Sequence, residues 1–256
     1  MTETIVMILV SLILAILLGN GSVVLFNRIK PEWFEDYDFS QSNSDITIKK
    51  DKNVIPQKVL PEKLIAADTS GRQRIPSTPW KYAFTGSFGI IGTALSIKGM
   101  GITYMIAVML LLFIVLEMTI ADYLYKVVPD QLQLILCMMS VGFWLYHEKY
   151  WEPLAGCLVG ILISISVLGL GMLIYKKGSI GGADIKYFAA IGMSAGREGI
   201  IIIFVLTTFF FAIEAFARIA FKRGSLKDSN AMLPAACVAT SIYFVFLFNI
   251  DGFITL

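Results

Sequence analysis

Apolar runs of roughly membrane-spanning length recur along almost the whole chain, and they leave little choice of architecture. Segments 5–26, 101–121, 152–175 and 199–221 each approach the roughly 20 apolar residues that cross a bilayer. Shorter apolar stretches cover 82–97, 131–147 and 232–249. The composition agrees: 57% of residues are hydrophobic, only 16% are charged, and the mean hydropathy is +0.75, well above soluble-domain values. The expected fold is all-α, a polytopic transmembrane helix bundle. No basic helix with interleaved aromatics is present, so a nucleic-acid partner is not expected.

One stretch breaks the hydrophobic pattern. Residues 27–81 are polar and proline-spotted, with an acidic patch (Glu32, Glu35, Asp36, Asp38) followed by a lysine- and arginine-bearing run. Their apolar content is too low for a large independent core, so they read as a cytoplasmic loop or small subdomain. The chain therefore divides into a first span (1–26), this loop (27–81) and a membrane region (82–256).

Charge sets the orientation. The first residues, Met-Thr-Glu-Thr, lack the basic start of a secretory signal, while Arg28 and Lys30 follow the first span directly. With the N-terminus outside, eighteen of the twenty-one lysines and arginines fall on inner segments, which rules against the inverted arrangement. Residues 185–196 make only about three helical turns, roughly 17 Å, short for a ~30 Å hydrocarbon core. Counting them as a crossing keeps Arg218, Lys222 and Arg223 inside. The total is then about eight crossings, one of them short, with Asp184 partly sunk from the inner face or the bilayer locally thinned.

Two aspartates stand out on this background. Asp122 opens Asp122-Tyr-Leu-Tyr-Lys-Val-Val-Pro129-Asp130, and Asp184 closes Gly181-Gly182-Ala183-Asp184 ahead of Ile185-Lys186. Carboxylates near hydrocarbon are costly, and parity puts both on the inner side. Two adjacent carboxylates cannot both ionise cheaply, so they hold one proton between them. One can then act as base toward a water while the other donates to a scissile carbonyl, with no metal required. Gly181 and Gly182 are expected to break the preceding helix and allow close backbone approach. Simpler readings compete on position alone: Asp184 as a helix N-cap, Asp122 as an interfacial residue, and Asp130 after Pro129 as the cap of the next span.

The remaining polar residues carry less. Cys137, Cys157 and Cys237 lie in apolar segments with no C-x-x-C pair, and read as small buried hydrophobes. His147, the only histidine, reads as interfacial. Glu214 and Arg218, four apart on one helix, are expected to pair. Glu117, inside the third span, has no local partner. Gly160, Gly169 and Gly171 are expected to permit close helix packing.

At its two aspartate motifs the chain resembles the type IV prepilin peptidases, bacterial membrane aspartyl proteases of the GxGD type related to preflagellin peptidases. Asp122 through Pro129-Asp130 matches the family's D-x-x-x-x-x-x-P-D/N spacing. Gly181-Gly182-Ala183-Asp184-Ile185-Lys186 matches G-x-G-D-x-K except for alanine at the third position. Tyr187 to Gly192, Leu233-Pro234, and Gly21-Ser22 with Phe26-Asn27-Arg28 resemble further family segments.

The resemblance implies an enzyme of the bacterial inner membrane that removes leaders from prepilin or pseudopilin precursors at the cytoplasmic face. Asp122 and Asp184 would be catalytic, with Gly181, Gly182, Lys186, Pro129 and Asp130 in support. Many relatives hold zinc with two C-x-x-C pairs in the first loop, and residues 27–81 contain no cysteine, so no metal is expected. Proteolysis needs no cofactor. S-adenosylmethionine enters only if the methyl transfer of bifunctional relatives is retained. The rival reading is a proton-coupled transporter using Asp122, Glu117 and Asp184 as intramembrane carboxylates.

Overall fold

The computed structural model describes residues 2–34, 66–67, 73–175, 181–221 and 231–248. Most of the 27–81 loop, with Glu35, Asp36, Asp38 and the lysines from Lys49 to Lys63, lies outside the described residues. Helix α1 spans Thr2–Arg28, and a 3-10 turn follows at Pro31–Phe34. A two-residue antiparallel pair, β1 (Ala66–Ala67) with β2 (Gln73–Arg74), precedes α2 (Ser77–Lys98). Then come α3 (Ile102–Tyr125), α4 (Asp130–Gly142) with a 3-10 extension Phe143–Tyr146, and α5 (Glu152–Tyr175). The last elements are α6 (Gly182–Ala220), α7 (Leu233–Ile242) and a π-turn at Tyr243–Leu247. The protein is an all-α membrane bundle, and β1–β2 is its only strand pairing among the described residues.

Buried and exposed surfaces follow the expected solvent. Helix α3 is enclosed along most of its length: Tyr104, Val108, Met109, Leu111, Val115 and Met118 are all buried. The other helices turn large apolar side chains outward, among them Ile13 and Leu17 of α1, Leu162 and Leu173 of α5, and Val205 and Phe209 of α6. An all-round apolar helix set of this kind is stable only with hydrocarbon outside.

The helices alternate in direction around α3. Helix α1 lies antiparallel to α2, with Gly19 against Thr85 and Gly92 against Ser11. A Cβ on Gly19 would come within 2.4 Å of the Thr85 backbone nitrogen, so this crossing admits no side chain there. Asn27, at the end of α1, clamps the entry to α2: its amide donates to the Ile75 carbonyl (2.9 Å) and accepts from the Ile75 N–H (3.0 Å). Gly99 and Gly101, with φ of 75° and 93°, make the tight turn into α3. Glu214 and Arg218 form the expected pair on one helix face.

The segment expected as a short crossing and the span after it are joined in α6. Gly196 (φ 77°, ψ 178°) interrupts the helix in a backbone region open essentially to glycine alone. The ring centroids of Phe188 and Phe204 are 5.3 Å apart. Sixteen residues of straight helix would separate them by about 24 Å. The chain therefore folds back at Gly196, and residues 182–195 and 197–220 form a helical hairpin. Its first arm is roughly 21 Å long, still short of a full hydrocarbon core.

Close glycine contacts hold this hairpin to α5. A Cβ on Gly156 would lie 2.1 Å from the Gly192 carbonyl oxygen, and one on Gly160 would lie 2.3 Å from that of Phe188. Gly160 thus packs as expected, but Gly169 does not, since a Cβ there would meet nothing within 4 Å. The surroundings of Gly171 lie outside the described residues. Helix boundaries also shift: α2 begins five residues earlier than the hydropathy implied, and α3 extends to Tyr125, so Asp122 lies within its final turn. The three cysteines are free but half-buried rather than enclosed.

Gly196→Ala is predicted to destabilise the protein by about 1–3 kcal/mol, from the strained backbone and from a Cβ 3.0 Å from the His147 ring. Gly169→Ala, in open space on a helix, is predicted to be neutral or stabilising. Thermal unfolding of the two purified variants in one detergent checks the contrast. A Gly196→Ala protein as stable as wild type would contradict the hairpin geometry.

Candidate active site

Asp122 and Asp184 come together at one end of the bundle, and each is placed by the start of a helix. Asp122 is half-buried in the last turn of α3. Its Oδ2 accepts the Leu233 N–H at 3.1 Å, and the Met232 amide lies beside the same carboxylate. Leu233 is the first residue of α7, so the donor is one of the amides that an α-helix leaves without an internal partner. A carboxylate there is favoured by the donor and by the helix dipole. The positive charge of Lys126 bears on Asp122 as well.

Asp184 is the third residue of α6 and is also half-buried. Its Oδ2 accepts the Gly181 N–H at 3.2 Å, while its own N–H donates to the Gly181 carbonyl at 3.1 Å. This is the returning half of a capping box. Asp184 therefore does cap its helix, from the third position and not from the N-cap. Capping does not exhaust its surroundings, because the Asp122 carboxylate lies within electrostatic reach of it.

Residues between the helices fix this approach. Tyr187, one turn beyond Asp184, shares a 2.8 Å hydrogen bond with the Thr240 hydroxyl and donates to the Ala236 carbonyl at 3.4 Å. At the far end the Tyr243 hydroxyl donates to the Ala195 carbonyl at 3.2 Å. Contacts that advance together along both helices mean that the first arm of α6 runs parallel to α7. Both helix starts, and the carboxylates they hold, thus fall at the same end. Helix α3 runs the opposite way, with the Tyr104 hydroxyl bonded to the Phe244 carbonyl at 2.9 Å and Asp122 at Leu233.

Comparison with known proteins bears on this end of the molecule. Residues 108–217 match the model of the type IV leader peptidase family. This segment belongs to that family. No curated protein and no solved structure matches the chain. The matched stretch runs from α3 into the second arm of α6 and holds both aspartates.

Within the leader-peptidase segment, the two motifs are tied by Lys186. Its Nζ lies 2.6 Å from Asp130 Oδ1, bridging the starts of α6 and α4. Both side chains are exposed, so the pair orients more than it stabilises. Pro129, not Asp130, holds the N-cap position of α4: its carbonyl accepts from Leu132 and Gln133, and Asp130 is the first helical residue. Proline suits that place because its φ is fixed and it has no N–H to leave unpaired. A new helix begins at Gly182, as expected, with neither Gly181 nor Gly182 at a positive φ. Among the described residues, a Cβ on Gly182 would meet nothing within 4 Å.

Other polar residues of the leader-peptidase segment lie elsewhere. His147 lies at the opposite end with its ring enclosed, Nε2 3.0 Å from the Ser194 carbonyl oxygen and Nδ1 3.5 Å from Glu152. It braces the Gly196 turn. Glu117 is wholly buried, and neither of its oxygens has a hydrogen-bond partner. Ser22 of α1 is adjacent, but its hydroxyl proton goes to the Leu18 carbonyl at 2.9 Å. Gln133, on α4, is buried with its amide unpaired. The sequence reading missed the Leu233 amide as the holder of Asp122. The signal was a helix start, Leu233-Pro234, whose first free N–H needs an acceptor.

An unpartnered buried carboxyl costs stability. Glu117→Leu, similar in size and apolar, is predicted to raise the thermal midpoint, with a gain of about 1–3 kcal/mol. A lower midpoint in the same detergent would mean that Glu117 has a stabilising partner in the native bundle.

Proposed function

We propose that the protein is a membrane aspartyl endopeptidase that removes the leader from prepilin-like precursors, with Asp122 and Asp184 as its catalytic pair. The observation that carries this reading is the approach of the two carboxylates, each held by an N–H at a helix start, within a segment that matches the type IV leader peptidase family. The pair shares one proton and binds a water. One carboxylate takes a proton from the water as its oxygen attacks the scissile carbonyl carbon. The other gives its proton to the carbonyl oxygen, forming a gem-diol. Collapse of that intermediate breaks the C–N bond, and the proton gained by the base goes to the departing amine.

The membrane supplies the reason for this position. A precursor whose apolar helix rests in lipid presents the bond just before that helix at the bilayer edge, where Asp122 and Asp184 stand. The charge bias of the sequence makes that edge the cytoplasmic one, in a bacterial inner membrane. The space that the described residues leave beside Gly182 gives a substrate backbone room to reach Asp184. A transporter would more naturally hold its carboxylates near mid-bilayer.

The test is cleavage of a precursor by purified enzyme, read by mass analysis of the new N-terminus, which also reports any added methyl group. Asp122→Asn and Asp184→Asn are each predicted to lower kcat by about 10²–10⁴-fold while leaving the thermal midpoint near that of wild type. Cleavage that survives either substitution would overturn the paired-carboxylate mechanism.

A further inference from the structure

Gln133 carries an amide that no described residue satisfies: neither Oε1 nor Nε2 has a hydrogen-bond partner among them, and the residue is only 6% exposed. It belongs to the inward face of α4 with Leu132, Leu136 and Ser140, while Leu134, Met138 and Val141 turn outward. Helix α4 packs against α3 and α6, the helices that carry Asp122 and Asp184. Its depth follows from the turn between α3 and α4. Asp122 stands three residues before the end of α3 at Tyr125, and Gln133 three residues after the start of α4 at Asp130. Each is roughly 4.5 Å from the turn along its own helix, so the two lie at one level. Asp130 is bound to Lys186, two residues beyond Asp184, and His147, beyond the far end of α4, meets the Ser194 carbonyl. Helix α4 and the first arm of α6 therefore run parallel from the same end, and Gln133 is enclosed where both acids are held. Glu117, also unpaired, lies five residues deeper than Asp122, roughly 7.5 Å along α3, beside Ser22 of α1.

We propose that Gln133 is a third member of the catalytic site, its amide orienting the water that the two carboxylates activate. The assignment rests on the peptidase reading above and deepens it. A buried amide left without a partner is costly, and an internal water bridging several polar groups is the usual remedy. The amide and the two carboxylates share one depth, so a single water between them satisfies all three. Gln133 Oε1 accepts one proton of this water, and a carboxylate takes the other as the water oxygen bonds to the scissile carbonyl carbon. The first proton stays on that oxygen in the gem-diol, still held by the amide. A neutral acceptor suits this place, because it does not compete for the transferred proton and adds no charge to a pair that already shares one. An apolar side chain of the same length would leave the water free to turn. That slows attack without weakening the binding of substrate.

The test is cleavage of a precursor by full-length enzyme in detergent, with kcat, KM and the thermal midpoint measured for Gln133→Met and Gln133→Asn. Methionine keeps the length of the side chain and removes both polar atoms. It is expected to lower kcat about 10–100-fold and to leave KM within about twofold of wild type. The midpoint is expected to stay level or rise, because an unsatisfied buried amide is gone. Asparagine keeps an amide and is expected to retain several-fold more kcat than methionine. Gln133→Leu puts the same question if the methionine variant does not fold. A folded apolar variant with wild-type kcat would overturn the assignment. So would one whose kcat and midpoint fall together, with asparagine no better. Either result leaves the carboxylate pair standing, whereas failure of wild type to cut any precursor would overturn the peptidase reading and the part of Gln133 with it.

Discussion

A carboxylate can rest at the lipid edge of this bundle because the open end of a helix faces it. Asp122 takes the Leu233 amide at the start of α7, and Asp184 takes the Gly181 amide at the start of α6. Both donors belong to backbone that would otherwise lack a partner. Each contact therefore satisfies a stranded N–H and a costly anion at once. Because α6 and α7 begin at the same end, the same economy brings the two acids into each other's field. Under the proposed mechanism, chemistry and capping share the same hydrogen bonds.

The rest of the bundle serves to keep those helix starts level. Tyr187 to Thr240 and Tyr243 to Ala195 lock the first arm of α6 alongside α7. The Gly196 reversal lets that arm be short, and its second arm returns toward the Asp184 end. Gly156 and Gly160 bring α5 onto the arm at backbone distance, against Gly192 and Phe188. Among the described residues, two buried polar side chains, Glu117 and Gln133, lack hydrogen-bond partners. A purely structural core would have little reason to keep them.

Much of this was readable in one dimension, for identifiable reasons. The span at 152–175 was placed to the residue because uninterrupted apolar composition sets its limits. The aspartate motifs were visible because a carboxylate against hydrocarbon is conspicuous. Contacts between distant segments were not readable. Leu233 lies 111 residues from Asp122, and nothing local says which acceptor its free N–H takes. The enclosure of the His147 ring was not readable either, because composition beside a helix end says nothing of the Ser194 carbonyl that draws the ring inward. Gly169 was misjudged because a glycine in an apolar helix does not reveal which face it occupies. The informative pattern was spacing: Gly156 meets Gly192 and Gly196, four apart, and Gly160, four residues beyond Gly156, meets Phe188 across the α5–α6 crossing.

The central claim is convergence of two acidic side chains from different helices, and proximity can be measured without substrate or activity. In a protein with Cys137, Cys157 and Cys237 replaced by serine, Asp122→Cys and Asp184→Cys would be paired and treated in native membranes with a short bifunctional thiol reagent. A control would pair Asp122→Cys with Arg197→Cys, whose side chains lie at opposite ends of the bundle. The account predicts a cross-link in the first protein and none in the second. A cross-link confined to the control, or absent from a folded first protein whose cysteines both react singly with the reagent, would contradict it.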